Sequence, residues 1–495
     1  MASIFKLTVV AFFFAVCHAI PPLPPVQFSV MSPQGLRMQI LGNPGITLVA
    51  YHYSINKDVI GVAPGDYNYD ITDKTGDYWV HENTDIVVNS GDVVNYWYLV
   101  IYNGGGYQDT DLSWTAVYCF HSHGCISSPD MCYRYPCDAG CDMGVPPCNG
   151  LIFEDNFDSL NKNVWEHEIT AGGGGNWEFQ YYTNNRTNSY CRDGTLFIKP
   201  TLTEDTYGKG FVSSGTLNLW GSSPANLCTG HQWWGCERLG NPTNYINPVQ
   251  SARLRSVHSF GFTYGKVEVR AKMPIGDWLW PAIWLLPTHS GYGEWPASGE
   301  IDIVESRGNI NYKDSGGTSV GVDQMGSAMH WGPFMPYNAY HLTHASKNLN
   351  GQNFGEAFYK YVVEWTPTDI SFFVDDEQIL KIDPGPNGFY DFGKFATEVP
   401  NTHNPWENSP NKMAPFDQDF YIIMNVAVGG TGGYFSDGLT NQPYPKPWND
   451  QSPTAPRDFW LAKDQWYPTW FPTVNNGEGA AMEVDYVRVW AHGSY

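Results

Sequence analysis

The chain has 495 residues, of which 16% are aromatic and 16% are charged, and its formal net charge at pH 7 is −23. Such an aromatic content excludes an intrinsically disordered protein, and the length leaves room for roughly two to four domains. The negative charge would repel nucleic acid and anionic lipid, so we expect neither as a partner. A neutral partner such as a polysaccharide is compatible with this composition.

The first residues have the features of a secretory signal. Lys6 precedes the apolar run Leu7–Val16, and small residues then lead to Ala19. We therefore predict a signal peptide over residues 1–19 and a secreted, extracellular mature protein. The apolar run is too short to cross a bilayer and no later run is long enough, so we expect no membrane insertion.

The segment after the signal predicts a small β domain. Helical periodicity is nearly absent throughout, and short runs rich in Val, Tyr and Trp recur between Gly, Pro, Asn and Asp. Strands spaced in this way are typical of all-β sandwiches. The first group of runs, which includes ITLVAYHYSI and VVNYWYLVIY, ends near Thr115. We predict an immunoglobulin-like β-sandwich over residues 20–115.

A cysteine-rich segment follows. Residues 116–149 contain six of the ten cysteines of the chain, and we predict that they form a linker. Secretion favours disulfides here, and the alternative of a zinc site is weakened because the paired C-x-x-C repeat is lacking. Further along, Cys228 and Cys236 are placed to close a short surface loop. Cys191 is left either free or paired with a cysteine of the cluster.

No further break is visible between residues 150 and 495. Runs such as KVEVRAKM, YKYVVEWT, FYIIMNVAV and AMEVDYVRVW predict strands, and the length suits one large β-sandwich with long loops. The glycine-rich loops AGGGGN (171–176) and GGTGG (429–433) are not followed by a helical pattern. A phosphate-binding role is therefore not expected for either loop.

The stretch SGEIDIVESRGN (298–309) holds three acids within six residues. Glu300 and Asp302 are two residues apart, so they share one face of a strand. Glu305 comes one residue late and would face away in a regular strand. One β-bulge between Asp302 and Glu305 would return Glu305 to the acidic face, and bulges occur next to active sites. Three carboxylates on one face repel one another, so at least one should have a raised pKa.

This cluster has the groups that glycoside hydrolysis needs. That reaction uses two carboxyl groups on one sugar bond, of which one is protonated and the other ionised. Trp-rich segments at 278–287, 294–296 and 330–332 flank the acids, and aromatic rings suit the apolar faces of sugars. The alternative is a solvated edge strand with incidental acids, with each Trp in the core. We favour a catalytic cluster.

The acids also resemble a known signature. GEIDIVE fits the G-E-[IL]-D-[IV]-x-E pattern of glycoside hydrolase family sixteen, in the bulged form of its laminarinase-like members. Further ordered matches within residues 150–495 are EFQYYTNN, NPVQSARLRS, YGKVEVRAKMP, WPAIWLLP, MNVAVGG and VDYVRVW. The segments GVAPGDYNYDIT and VVNYWYLVIYNGGGY are similar to the glucan-binding module of invertebrate β-1,3-glucan recognition proteins, also called Gram-negative-bacteria-binding proteins.

The resemblance implies a fold and two functions. Residues 150–495 would form a concanavalin-like jelly-roll hydrolase domain, and residues 20–115 a β-1,3-glucan-binding module. The chain would be a secreted endo-β-1,3-glucanase that retains the anomeric configuration. The alternative is an innate-immune pattern-recognition protein that binds β-1,3-glucan and lipopolysaccharide with little or no hydrolysis. Many recognition proteins of this group have lost the catalytic glutamates, whereas this chain keeps all three acids.

The resemblance also implies roles for single residues. Glu300 would be the nucleophile, Asp302 would orient and tune its neighbours, and Glu305 would be the acid/base. Arg253 would hydrogen-bond the glycan, although an internal salt bridge is the alternative for this residue. The full set of residues implied to contact sugar is Trp280, Trp284, Trp295, Arg253 and His330.

No cofactor is required by this chemistry. Members of the resembling family often carry a structural Ca²⁺ away from the catalytic residues, held by oxygen ligands near both ends of the sandwich sequence. For such an ion, Glu154 and Asp485 are the candidate ligands.

Overall fold

The computed structural model describes residues 26–30, 35–76, 78–88, 92–115, 150–221, 227–399 and 402–493. The predicted signal peptide (1–19) and the predicted linker (116–149) lie outside these residues. The chain divides into two compact units, Met1–Cys141 and Asp142–Tyr495. Within the described part of the chain, no helix has both the length and the apolar character needed to cross a membrane.

The described part of the first unit is built from strands. They are β1 (Gln27–Val30), β2 (Leu36–Leu41), β3 (Ile46–Ile55), β4 (Tyr67–Ile71), β5 (Tyr78–Asn83), β6 (Val93–Tyr102) and β7 (Gly105–Thr115). One antiparallel sheet has the order β1-β2-β5 and the other β4-β3-β6-β7. Leu36, Met38 and Ile40 of β2 are fully buried and join Tyr51 and Tyr53 of β3 in the core between the sheets.

The second unit is a larger β-sandwich with a few short helices. Its strands are β8 (Leu151–Asp155), β9 (Glu166–His167), β10 (Gln180–Tyr182), β11 (Ser189–Arg192), β12 (Thr195–Ile198), β13 (Thr201–Leu202), β14 (Thr216–Asn218), β15 (Glu237–Leu239), β16 (Val249–Ser251), β17 (Arg253–Arg255), β18 (Gly265–Lys272), β19 (Leu279–Pro287), β20 (Glu300–Ser306), β21 (Tyr312–Lys313), β22 (Gln324–His330), β23 (His344–Asn348), β24 (Tyr359–Trp365), β25 (Ile370–Val374), β26 (Glu377–Ile382), β27 (Phe420–Val428), β28 (Thr440–Asn441) and β29 (Met482–Ala491). The helices are α1 (Thr203–Tyr207), α2 (Phe211–Ser214), α3 (Gly388–Phe392), α4 (Phe395–Glu398), α5 (Ala455–Leu461) and α6 (Lys463–Trp466), with 3₁₀ turns at Gly173–Gly175, Gln232–Trp234, Tyr340–Leu342, Tyr467–Trp470 and Asn475–Ala480.

Two large antiparallel sheets form this sandwich. One has the order β11-β12-β29-β18-β24-β25-β26, with β8 also paired to β29, and the other has the order β23-β22-β20-β19-β27-β17-β9. The central strand β27 is buried along its whole length, so its sequence FYIIMNVAV is nearly continuously apolar. The acidic strand β20 lies in the second sheet, between β22 and β19.

The predicted all-β fold is confirmed, with an immunoglobulin-like sandwich preceding a jelly-roll sandwich. The predicted closure of a short loop by Cys228 and Cys236 is confirmed by a disulfide between them. Cys191 has no disulfide partner among the described residues. Its pairing with the cysteines of residues 116–149 lies outside what the structure describes.

Candidate active site

The acidic strand β20 contains the predicted bulge. Against β22, Asp302 pairs with Ala328 and Glu305 pairs with Gly326, and the register shifts between the two acids. Two residues of β20 therefore stand opposite the single residue Ser327. The extra residue reverses the alternation, and this returns Glu305 to the side of the strand that carries the other two acids.

The three carboxylates are sheltered from solvent and each outer one accepts an indole hydrogen bond. The side chain of Asp302 is 4% exposed and that of Glu300 is 17% exposed. Trp295 donates its Nε1–H to Glu300 Oε2 over 2.9 Å, and Trp280 donates its Nε1–H to Glu305 Oε1 over 2.8 Å. Two predicted sugar-contacting tryptophans therefore also hold the two glutamates.

His330 supplies a positive charge to the cluster. Its Nε2 lies 3.2 Å from Asp302 Oδ2 and 3.9 Å from Glu300 Oε1. The imidazole contacts the rings of Trp295 and Tyr340, with centroid distances of 5.7 and 5.3 Å. Burial works to lower the pKa of His330, but its contact with Asp302 and the charges of the three acids raise that pKa to about 10.

The two glutamates hold protons more strongly than ordinary glutamates. Burial, followed by repulsion from Asp302, raises the pKa of Glu300 to about 8 and that of Glu305 to about 7. Carboxyl groups confined in one buried site release their protons in separate steps. The pKa of each step belongs to the group of acids rather than to one residue. The site can therefore hold one protonated and one ionised carboxyl group near neutral pH, which suits general acid catalysis.

Trp280 is fixed by a stack that sequence reasoning did not find. Its ring lies parallel to that of Tyr434, with 3.9 Å between centroids, and the Arg307 guanidinium lies 4.0 Å from the Tyr434 centroid. Arg307 also donates from Nε to the Tyr434 carbonyl oxygen over 3.0 Å. The aromatic residue at 434 follows the glycine-rich loop 429–433, so this loop positions an indole that bonds Glu305.

Arg253 lies in the same sheet but in a buried polar network. Its Nη1 lies 3.4 Å from Glu168 Oε2 and its Nη2 lies 3.8 Å from Glu178 Oε2. The guanidinium also covers the rings of Tyr182 and Trp284, at 4.5 and 5.3 Å. These ion pairs agree with the alternative of an internal salt bridge, and contact of Arg253 with the glycan stays a prediction. The motif EFQYYTNN was the signal for Glu178 and Tyr182, but no spacing rule connected it to Arg253.

Trp284 is the predicted tryptophan that joins this network to the acids. It stands opposite Asp302 in the pairing of β19 with β20, and it donates its Nε1–H to Asn425 Oδ1 over 2.8 Å. The sequence had predicted no role for Asn425. Its Nδ2–H donates to the Tyr182 hydroxyl over 3.2 Å. All five residues predicted to contact sugar therefore lie on or beside the sheet that carries the acids.

The two carboxylates predicted to bind calcium each pair with an arginine. Glu154 Oε1 accepts from Arg488 Nε over 2.6 Å, and Asp485 is paired with Arg270. A cation at these carboxylates would have to displace both guanidinium groups, so the two side chains as arranged do not fit a Ca²⁺ site. Calcium binding at this position stays a prediction without support from the side-chain contacts.

One group of possible metal ligands occurs among the described residues. It consists of Glu300, Asp302 and His330, whose ligand atoms lie within 4.8 Å of one another. These are members of the acid cluster itself, and the ion pair between His330 and the two carboxylates accounts for their proximity.

Family models match both units. The carbohydrate binding domain model CBM39, described as family 32, matches residues 21–131, and the model for glycosyl hydrolases family 16 matches residues 233–397. The β-1,3-glucan-binding protein of Penaeus monodon is 52% identical over 367 residues, which cover 74% of this chain and 93% of the relative. β-1,3-glucan-binding protein 1 of Galleria mellonella is 31% identical over 527 residues, covering 98% of this chain and 100% of the relative.

A solved structure resembles part of the chain. The laminarinase from Rhodothermus marinus is 26% identical, with a TM-score of 0.40, and the match covers 69% of this chain and 96% of that one.

Proposed function

The chain belongs to the β-1,3-glucan-binding protein family, and we propose that it is a secreted recognition protein for β-1,3-glucan. The support is the similarity to relatives named for glucan binding, which extends over 98% of the chain in one case. Residues 20–115 are proposed as a glucan-binding module, in agreement with the carbohydrate binding domain matched at 21–131. Lipopolysaccharide is proposed as a second ligand.

Retention of the full-length protein on insoluble β-1,3-glucan tests this proposal. We expect retention on curdlan, release by soluble laminarin, and no retention on cellulose. Equal retention on cellulose and curdlan would contradict recognition of the β-1,3 linkage. Competition by lipopolysaccharide in the same experiment tests the second ligand, and a lack of competition would remove it.

A second function, hydrolysis of the bound glucan, is favoured by the bulge that aligns Glu305 with Glu300 and Asp302. In a retaining mechanism, Glu300 attacks the anomeric carbon while Glu305 gives its proton to the departing glycosidic oxygen. Glu305 then takes a proton from a water molecule. The water oxygen bonds to the anomeric carbon, and the bond between that carbon and Glu300 breaks. Asp302 and the His330 imidazolium would tune both acids through their charges. We propose an endo-β-1,3-glucanase activity of this type.

Hydrolysis should depend on pH in a bell-shaped manner. The active form has Glu300 ionised and Glu305 protonated, which is the less populated of the two singly protonated forms, because the pKa of Glu300 lies above that of Glu305. Since the pair titrates with pKa values of about 7 and about 8, both groups are protonated at low pH and both are ionised at high pH. We expect kcat/KM on laminarin to be largest between these values and to fall on either side.

The control measures the Glu305→Gln variant on an aryl β-glucoside with an acidic leaving group. This leaving group departs without receiving a proton, so the fall of kcat/KM at alkaline pH should disappear while the fall at acid pH remains. A wild-type rate that stays constant from pH 4 to pH 10 would contradict the protonation states assigned to Glu300 and Glu305.

A further inference from the structure

Two solvent-exposed tryptophans, Trp177 and Trp233, lie in ring contact away from the acid cluster, and the exposed Trp234 follows Trp233 in the chain. Trp177, Trp233 and Trp234 are 46%, 54% and 66% exposed, and the rings of Trp177 and Trp233 lie 5.3 Å apart. Single exposed apolar residues are common on protein surfaces, but a cluster of large ones marks an interaction surface. We call these three residues the tryptophan platform.

The backbone under the platform is strained. Trp177, Trp233 and Trp234 have φ angles of 52°, 56° and 59°, in the left-handed region that bulky residues avoid. Each such residue costs on the order of 1 kcal/mol or more. Burial of the indoles offsets little of this cost, because the three residues remain 46% to 66% exposed. Strain of this kind is found at ligand-binding positions but also at single residues such as Phe471, so it supports a binding role here only together with the contact between exposed indoles.

Several contacts hold the platform in place. The disulfide between Cys228 and Cys236 closes the loop that carries Trp233 and Trp234. Arg238 Nη2 donates to the carbonyl oxygens of Trp233 and Ala171, over 3.0 and 2.8 Å. The loop with the exposed indoles is therefore tied to the loop that leads into Trp177.

One side of the platform is linked to the catalytic acids through the loop 429–434. The carbonyl oxygen of Asn176, the residue before Trp177, accepts from the backbone N–H groups of Thr431 and Gly432, over 2.9 and 3.1 Å. The same loop ends at Tyr434, whose ring stacks on Trp280. Trp280 is the donor to Glu305, so the path from platform to acid consists of directly contacting groups.

The other side is linked through Glu178, which follows Trp177 and pairs with Arg253. Arg253 belongs to β17, which is separated from β20 by β19 and β27 in the sheet. Three strand spacings amount to about 14 Å. A line drawn across the strands from the acids to Arg253 is therefore long enough for more than one sugar ring. Trp177 directly precedes Glu178 in the chain, so the platform is joined through the backbone to the Arg253 end of this line.

We propose that the tryptophan platform is a further sugar-binding subsite, on which a β-1,3-glucan chain stacks several units away from the bond held between the acids. The proposal rests on the function proposed above. A neutral glycan offers apolar ring faces. Exposed indole rings can stack on such faces, and this contact needs no charged group. Longer glucans would reach the platform, whereas short ones would occupy only the residues around the acids.

Hydroxyl-radical footprinting of the full-length Glu300→Gln protein tests the platform directly. The substitution prevents cleavage of the ligand, and oxidation is read at each residue by mass spectrometry. We expect laminariheptaose to lower oxidation of Trp233 and Trp234 about fivefold or more and laminaritriose to leave it unchanged. Trp295, which is 40% exposed beside Glu300, should be protected by both ligands.

Phe471 is the matched control residue, since it is 46% exposed and has a φ of 48°. Its oxidation should change with neither ligand. If Trp295 is protected while Trp233 and Trp234 stay reactive with laminariheptaose, the platform proposal is overturned and the proposed active site stands. If Trp295 is protected by neither ligand, glucan does not enter this unit, and the platform fails together with the proposed active site.

Variants give a second readout. In the Trp233→Ala/Trp234→Ala protein, the concentration of laminariheptaose that half-protects Trp295 should rise about tenfold, as expected for the loss of aromatic stacking. The corresponding concentration of laminaritriose should not change, and Phe471→Ala should affect neither. An unchanged value for laminariheptaose would overturn the proposal.

Discussion

Replacing Glu300 by Gln should lower the rate of laminarin hydrolysis by about a thousandfold or more, because an amide cannot attack the anomeric carbon. Glucan binding should persist, since the Gln side-chain oxygen can still accept the Trp295 indole N–H. The measurement is the release of reducing ends together with curdlan retention. Glu294→Gln is the matched control, because Glu294 is exposed six residues earlier and should leave the rate unchanged.

Activity of the Glu300→Gln protein equal to wild type would show that the nucleophile has been assigned wrongly. A wild-type protein without activity would instead leave glucan recognition as the function. The two outcomes separate the catalytic proposal from the binding proposal, which the curdlan experiment tests independently.

The same substitution should also stabilise the protein at alkaline pH. Burial and Asp302 raise the pKa of Glu300 from 4.5 to about 8, so the folded state binds this proton more tightly than the unfolded state. Stability is therefore lost as pH rises from about 4.5 through 8, and Gln at this position removes that loss. We expect a gain of about 1 to 3 kcal/mol in the free energy of unfolding at pH 9 and none at pH 4.

Urea unfolding at both pH values provides this comparison. A gain of the same size at pH 4 would contradict an origin in the charge of Glu300. The Glu294→Gln control should show no pH-dependent gain.

Replacing Arg253 by Met should destabilise the second unit by about 3 to 5 kcal/mol. Glu178 is 5% exposed and Glu168 is the other carboxylate in contact, so loss of the guanidinium leaves buried negative charge without its partner. The free energy of unfolding in urea measures this effect. Laminarin binding to this unit should weaken in parallel, because Trp284 loses the group that lies against its ring.

Arg255→Met on the same strand is the matched control. Arg255 pairs with Glu166 at 2.7 Å, and these side chains are 20% and 34% exposed against 10% and 3% for Arg253 and Glu178, so we expect a smaller cost of about 1 to 2 kcal/mol. The double variant Arg253→Met/Glu178→Gln should recover part of the lost stability, because it removes the unpaired charge. If Arg253→Met changes glucan binding but not stability, Arg253 is a substrate contact rather than part of a structural ion-pair network.

Local patterns in the sequence were sufficient for the strands and for the grouping of the acids. The alternation in LRMQIL and KVEVRAKM reports which side chains are buried, and this depends only on neighbouring residues. The late position of Glu305 predicted a bulge for the same reason, since side-chain direction in a strand reverses at every residue. The ordered motifs then predicted a jelly-roll domain over residues 150–495, and the jelly-roll fold is confirmed.

Contacts between distant strands could not be predicted in this way. Arg253 meets Glu178 across 75 residues, and the stack of Trp280 on Tyr434 joins residues 154 apart in the sequence. The period of a strand shows which face is buried but not which strand lies beside it, so no pattern linked these groups.

The sequence by itself therefore determined the all-β class, the acidic strand and its bulge, because these follow from the alternation of side chains along one segment. Only the tertiary structure decided that the indoles of Trp280 and Trp295 bond the two glutamates, that Arg253 is buried between two acids, and that Trp177 lies beside Trp233. The physical reason is that antiparallel sheets join segments from far apart in the chain. Their pairing is selected by the free energy of the whole core rather than by any local pattern.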